Sequence, residues 1–234
     1  MHGDLTRATV RSSDWLRRYY NKTAFILPYT ASSMIVTLRL AGHQPDTLLS
    51  NFKNVHSLSI KETLKNYLDN EMKTRGNLNN IPTGRLSHIV QAVIAICENP
   101  GKFYEHDLYA PLLSGITTFK QSPNFNNYFQ YSLVAIALCN GGKRVPEVMV
   151  KELIRGVYRK VSYHSSDIDA LLLIALTCVE SRNMFKEIEQ AKGKIVHQFI
   201  TQQNKTTGAF GNQITTALVA EVGRLYVYVW KAFT

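Results

Sequence analysis

Two kinds of hydrophobic pattern alternate along this chain, and both have helical period. In the first kind, apolar residues line one face only. Over 58–73, Ile60, Leu64, Tyr67, Leu68 and Met72 recur at helical spacing, with Lys61, Glu62, Lys65, Asp69 and Glu71 between them. The segment 147–160 repeats this, with Leu153, Ile154, Val157 and Tyr158 set against Lys151, Glu152, Arg155, Arg159 and Lys160. A third such segment, 186–203, carries Ile188, Ala191, Ile195, Val196, Phe199 and Ile200. The stretch 105–120 is weaker, because Pro111 either starts its helix or kinks it. The second kind is shorter and apolar almost all round: 32–41, 84–97, 128–139, 168–179 and 213–222. Short apolar runs also suit buried strands, but the Ala and Leu content here favours helix. A helix apolar on every side is buried on both sides. If the wet helices form an outer ring, the apolar helices form an inner ring, touching the outer one on one side and a central space on the other.

The apolar segments recur at a near-constant period. Those starting at 84, 128, 168 and 213 are separated by 44, 40 and 45 residues, the range of a helical-hairpin repeat. Three of them end alike, in Ile-Ala-Ile-Cys (94–97), Ile-Ala-Leu-Cys (136–139) and Ala-Leu-Thr-Cys (175–178). An open solenoid and a closed α/α toroid both fit this periodicity. The first would be a binding scaffold, whereas the second concentrates function at one mouth.

Composition narrows the class. The chain has 234 residues, 45% apolar and 19% charged, which suits a packed globular domain. With 13 Gly and 7 Pro, a turn-dense β-sandwich is disfavoured. The longest apolar runs, Leu133–Cys139 and Ala170–Leu176, fall far short of the ~18 residues of a membrane span. The net charge of +10 comes from basic residues scattered singly or in pairs, without a nucleic-acid-binding signature, and reads as a solubilising surface. Three cysteines are too few for a disulfide scaffold, and their spacing does not match zinc ligands.

Each inner helix after the first is entered through a polar segment. These are Asn79-Asn80-Ile81-Pro82-Thr83-Gly84, Asn124-Phe125-Asn126-Asn127, His164-Ser165-Ser166-Asp167 and Thr206-Thr207-Gly208-Ala209-Phe210-Gly211-Asn212. In a toroid or hairpin stack these entries share one end, gathering amides, hydroxyls, a carboxylate and an imidazole on one rim. The same residue types are also ordinary caps and turns, and Ser166 or Asp167 would cap the next helix without any ligand. Catalytic motifs are missing: there is no His-Glu-x-x-His, P-loop, Gly-x-Ser-x-Gly or Rossmann glycine pattern. Asp167 and Asp169 are two apart on a helix start, which is poor for a carboxylate dyad.

These residues resemble the eukaryotic cobalamin carrier family of transcobalamin, intrinsic factor and haptocorrin. The matching text is Tyr128-Phe129-Gln130-Tyr131-Ser132-Leu133 with Ala137-Leu138-Cys139, then His164-Ser165-Ser166-Asp167 with Ala175-Leu176-Thr177-Cys178. It continues in Gly208-Ala209-Phe210-Gly211-Asn212 with Thr215-Thr216, and has earlier support in Leu38-Arg39-Leu40-Ala41-Gly42, Gly84-Arg85-Leu86 and Cys97-Glu98-Asn99-Pro100. The resemblance covers roughly 30–222 and implies an all-α fold, an α/α toroid of two concentric helical rings. It leaves 1–29 as an N-terminal extension with the first outer helix, and 223–234 as a divergent tail rich in strand formers.

The function implied is non-catalytic carriage of cobalamin at the mouth of the toroid. On this resemblance His164 matches an axial ligand of the cobalt, Asp167 a carboxylate that accepts from corrin amides, Asn212 a rim amide and Thr215 a hydroxyl beside it. Gln130 joins the same set. Arg85, Asn126 and Phe129 stand where the family usually has glutamine, threonine and tyrosine. Asn126 still hydrogen-bonds, Phe129 loses a hydroxyl, and Arg85 either pairs with the ligand's phosphate or obstructs the site. A corrin already supplies four equatorial nitrogens, so the protein need add only one imidazole. Its rim of neutral amides wants Asn, Thr and Asp rather than a charged funnel.

For the cysteines, helical spacing permits Cys97–Cys139 or Cys139–Cys178, and the resemblance chooses Cys139–Cys178. The N-terminus, Met-His-Gly-Asp-Leu-Thr-Arg, carries no apolar leader, yet the family resemblance and the sequons Asn21-Lys22-Thr23 and Asn204-Lys205-Thr206 point to a secreted glycoprotein. With about five inner helices where the family ring has six, and no β domain, the chain is expected to be an incomplete form. The expected partners are cobalamin and a cell-surface receptor, with no nucleic acid and no membrane insertion. Rival classes are a ligand-free helical interaction protein and, less favoured for want of an acidic rim cluster, an α/α-toroid enzyme.

Overall fold

The computed structural model describes residues 10–12, 14–20, 28–51, 53, 57–118, 128–159, 166–180, 186–212, 215–216 and 218–219. The fold is all-α. Helices α1 (Pro28–Leu40), α2 (Pro45–Asn51), α3 (Ile60–Arg75), α4 (Thr83–Ala95) and α5 (Tyr109–Thr118) follow a helical stretch at 14–20, with single 3₁₀ turns at Leu78–Asn80 and Pro100–Lys102. Then come α6 (Tyr128–Asn140), α7 (Glu147–Tyr158), α8 (Ser166–Glu180) and α9 (Lys186–Gln202). Pairing of extended chain among the described residues is limited to two isolated bridges, Lys53 with Ser59 and Phe103 with His106. The chain divides into two compact units, Met1–Gly115 and Ile116–Thr234.

Local sequence sets the helix ends. Ahead of α3, Ser59 Oγ accepts from the Glu62 N–H (3.2 Å) and Glu62 Oε2 accepts from the Ser59 N–H (2.7 Å). This reciprocal pair satisfies two donors that the helix itself leaves open. Gly76, at φ 83°, closes the same helix in a conformation that side chains rarely adopt. Asp107 Oδ1 accepts from the N–H groups of Tyr109 (2.9 Å) and Ala110 (3.3 Å) and so starts α5. Pro111 falls in that helix's first turn, where no intrahelical bond needs its missing N–H. It therefore starts the helix rather than kinking it.

Both patterns read from the sequence appear as burial. In the first unit α1 packs against α4 and α3, and α4 buries Leu86, Ser87, Ile89, Val90, Ala92 and Val93. In the second unit α6 packs along α8, with α7 and α9 against them. Every residue from Tyr131 to Cys139 is buried. By contrast α7 buries one face, through Met149, Val150, Leu153, Gly156 and Val157, and leaves Val148 and Tyr158 exposed. Each large aliphatic side chain so buried contributes roughly 1.5–3 kcal/mol, which is ample reason for the apolar helices to lie inside. A disulfide ties the far ends of the inner pair. Cys139 and Cys178 are 6.2 Å apart at Cα and 39 residues apart in sequence, while Cys97 is free and exposed.

The sequence pattern does not announce α2, which is too short to show a period. The apolar segment expected over 32–41 begins four residues early, at Pro28, a favoured first helical residue. Of the last apolar segment, 213–222, residues 215–216 and 218–219 are described and are helical. The tail 223–234 lies outside the described residues. Among the described residues no helix is long and apolar enough to cross a membrane.

Candidate functional site

The polar entry to α8 and the loop that follows α9 meet in the second unit. Thr215, only 5% exposed, donates from its hydroxyl to Asp167 Oδ1. Its backbone N–H donates to Asn212 Oδ1 at 3.0 Å. One residue on, Thr216 Oγ1 accepts from the Phe210 N–H (2.9 Å) and donates to the Asn212 carbonyl (2.9 Å). Gly208 and Gly211, at φ 72° and 61°, supply the left-handed steps that fold this loop back on itself. Below it the Phe210 ring stands edge-on to Phe199 of α9, with centroids 5.8 Å apart. Ser166 Oγ at the start of α8 donates to Gln202 Oε1 at the end of α9 (3.2 Å). A carboxylate, an amide and a hydroxyl, 48 residues apart at the extremes of that hydroxyl bond, thus converge at one helix start.

Three of the residues singled out from the sequence are therefore together: Asp167, Asn212 and Thr215. Phe129, 40% exposed, and the half-buried Gln130 stand in the first turn of α6, the inner neighbour of α8. Asn126 and His164 lie outside the described residues. Arg85 belongs to the first unit, exposed in the first turn of α4, with Nη1 3.5 Å from Glu71 Oε1. Glu71 also pairs with Arg75, so two guanidiniums share one carboxylate and a positive charge is left over. The Tyr67 hydroxyl and Glu71 together hold the Arg85 pKa above its ordinary value.

Two features escaped the sequence pattern. The Ser166–Gln202 bridge links helix ends 36 residues apart, and nothing in either residue's neighbourhood signals the other. Lys192 falls on the apolar stripe of Ile188, Ala191 and Ile195 and is 2% exposed, with its ammonium 2.8 Å from Glu189 one turn away, a buried lysine that the apolar residues of the stripe did not single out. A cleft of about 270 Å³ at Glu147, Val150, Lys151, Ile154 and Glu187 shares no residue with the Asp167 cluster. Among the described residues no group of three His, Cys, Asp or Glu side chains is arranged to hold a metal ion.

Comparison with known proteins gives this geometry its context. The family described as eukaryotic cobalamin-binding protein matches residues 21–222. The chain belongs to that family. Bovine (Bos taurus) transcobalamin-2 is 26% identical over 208 residues, covering 81% of this chain and 47% of the relative. An uncharacterized Drosophila melanogaster protein, CG3556, is 23% identical over 137 residues, covering 58% of this chain and 21% of the relative. The chain thus spans less than half the length of these curated relatives. All of the candidate residues, from Arg85 to Thr215, lie within this family member's matched span.

Proposed function

We propose that this protein is a non-catalytic carrier that holds cobalamin at the mouth of an α/α toroid. The observation that carries the proposal is the Asp167–Thr215–Asn212 cluster at the entry to α8, within a chain of the cobalamin-binding family. Its donors and acceptors are those that a rim of neutral carboxamides requires. Asp167 accepts from amide N–H groups, and Asn212 offers an amide of its own. Phe129 and Gln130 add an apolar face and a second amide from α6. In this assignment His164 is the axial ligand of cobalt and Asn126 completes the rim. The corrin brings its own four nitrogens, so a protein cluster of metal ligands is not needed.

Inner helices buried on all sides and outer helices buried on one, found in each unit by itself, are the burial pattern that an α/α toroid requires. Secretion, a cell-surface receptor and glycosylation at the Asn204 sequon follow from the same family assignment. Equilibrium dialysis against cyanocobalamin tests the carrier function. Retention by the wild-type protein, weakened at least tenfold in Asp167→Ala, is expected for a charge-assisted hydrogen bond worth roughly 1.5–3 kcal/mol. No retention by well-folded wild type would favour a helical interaction protein instead.

A further inference from the structure

We infer that Thr215 is a positioning residue, which locks the Asp167 carboxylate and the loop 204–212 into one geometry before any ligand arrives. The inference deepens the carrier proposal and rests on it only for its ligand-binding consequence. Thr215 was expected among the contact residues, but its groups are already committed. Its hydroxyl proton goes to Asp167 Oδ1, its N–H goes to Asn212 Oδ1, and the residue is 5% exposed. A buried hydroxyl whose proton is spent inside the protein cannot donate it to a ligand as well.

Asp167 is in the opposite situation. It is half-buried, and its Oδ1 receives the Thr215 hydroxyl. Among the described residues no hydrogen bond engages Oδ2, which is therefore the oxygen available to an incoming N–H. A free carboxylate turns about its last side-chain torsion in a broad, two-fold well. Fixing one oxygen removes that freedom, so the other is presented in a single orientation. Binding then forfeits less entropy, which is the advantage of preorganisation.

The same residue also holds the loop, through its N–H on Asn212 Oδ1. Around it, Asn204 Oδ1 accepts from the Thr206 and Thr207 N–H groups (2.9 Å each), and Gln203 Nε2 donates to the Gly208 carbonyl (3.0 Å). These bonds are internal to the loop and its helix. The Thr215–Asp167 bond is different in kind, since it crosses to α8. It is the point at which loop order becomes carboxylate order.

The test compares Thr215→Val, Thr215→Ser and Asp167→Asn with wild type, by two measurements. Hydrogen exchange of peptides covering 204–216, without ligand, should be several-fold faster in Thr215→Val and near wild type in Thr215→Ser and Asp167→Asn, which keep the hydroxyl bond. Cyanocobalamin affinity should fall about tenfold in Thr215→Val, at unchanged far-UV circular dichroism, and recover to within about threefold in Thr215→Ser. Asp167→Asn should lose affinity while keeping slow exchange, because it keeps the clasp and alters only the acceptor offered. Unchanged exchange in Thr215→Val, or failure of Thr215→Ser to rescue it, would overturn the inference. If wild type holds no cobalamin, the carrier proposal fails, and the exchange measurement still decides the clasp.

Discussion

The second unit contains two helical glycines at which one substitution should have opposite effects. Gly156 lies in α7, directly under the ring of Tyr128. A Cβ added there would sit 2.8 Å from Tyr128 Cδ1, 3.0 Å from Cγ and 3.1 Å from Cε1. Carbon atoms pack at about 3.5–4.0 Å, so the ring or the helix would have to give way by several tenths of an ångström. The crowded atoms are at the base of the ring, not at a flexible tip, and Tyr128 is 1% exposed. Overpacking of this kind costs roughly 1–3 kcal/mol, while the better helix propensity of Ala returns up to about 1 kcal/mol. Gly156→Ala should therefore lose about 1–2 kcal/mol. In α9, Gly193 is exposed, and a Cβ built on it meets nothing within 4 Å. Gly193→Ala should gain about 0.5–1 kcal/mol from propensity alone. For a chain of this size each kcal/mol moves Tm by about 2–4 °C, so thermal melts followed at 222 nm resolve the two signs. A Gly156→Ala variant as stable as wild type would refute the packing of Tyr128 over α7. The prediction also bears on the site, since Tyr128 directly precedes Phe129 and Gln130.

Other features yield three further expectations. Replacing Cys139 and Cys178 together by Ala frees a loop of 39 residues and should cost about 4 kcal/mol on a chain-entropy estimate; urea unfolding should show the same loss in wild type treated with reductant. Asp107→Ala leaves two N–H groups at the start of α5 without their acceptor and should cost about 1 kcal/mol, most of it recovered in Asp107→Asn. Burial pushes the His88 imidazole below its ordinary pKa of 6.5, so between the folded and unfolded values the unfolded chain binds the extra proton. Stability from this group is full above pH 6.5 and is lost as pH falls below it; His88→Gln should flatten that part of the Tm-against-pH curve, and an unchanged slope would show that another group titrates there.

Helical period was enough to locate nearly every long helix and to separate inner from outer. Burial differs between the two kinds so strongly that the pattern survives in sequence: α6 has a continuous buried run, and α7 a single stripe. Short elements such as α2 were illegible because seven residues hold fewer than two full turns beyond the caps. At the site, residue types were legible but their division of labour was not. Asp167, Asn212 and Thr215 stood out through family resemblance and through polar segments preceding apolar helices. That the Thr215 hydroxyl is spent on Asp167 depends on a contact across 48 residues, and no local pattern encodes it. Lys192 lies on the buried stripe with Ile188, Ala191 and Ile195, where helical period alone puts it. Periodicity assigns a face to each residue, but whether an ammonium is covered depends on neighbours outside its own helix.

The central claim, cobalamin carriage with His164 on the cobalt, is tested most directly by titrating the purified protein with hydroxocobalamin and recording the visible spectrum. An imidazole that replaces the cobalt-bound water shifts the corrin bands, and only the neutral ring can do so. The account predicts saturation at one corrinoid per chain, a shift that weakens as pH falls through the ordinary histidine range near 6.5, and its loss in His164→Ala at unchanged helicity. An unshifted spectrum in wild type and variant alike, with no corrinoid retained after gel filtration, would contradict it.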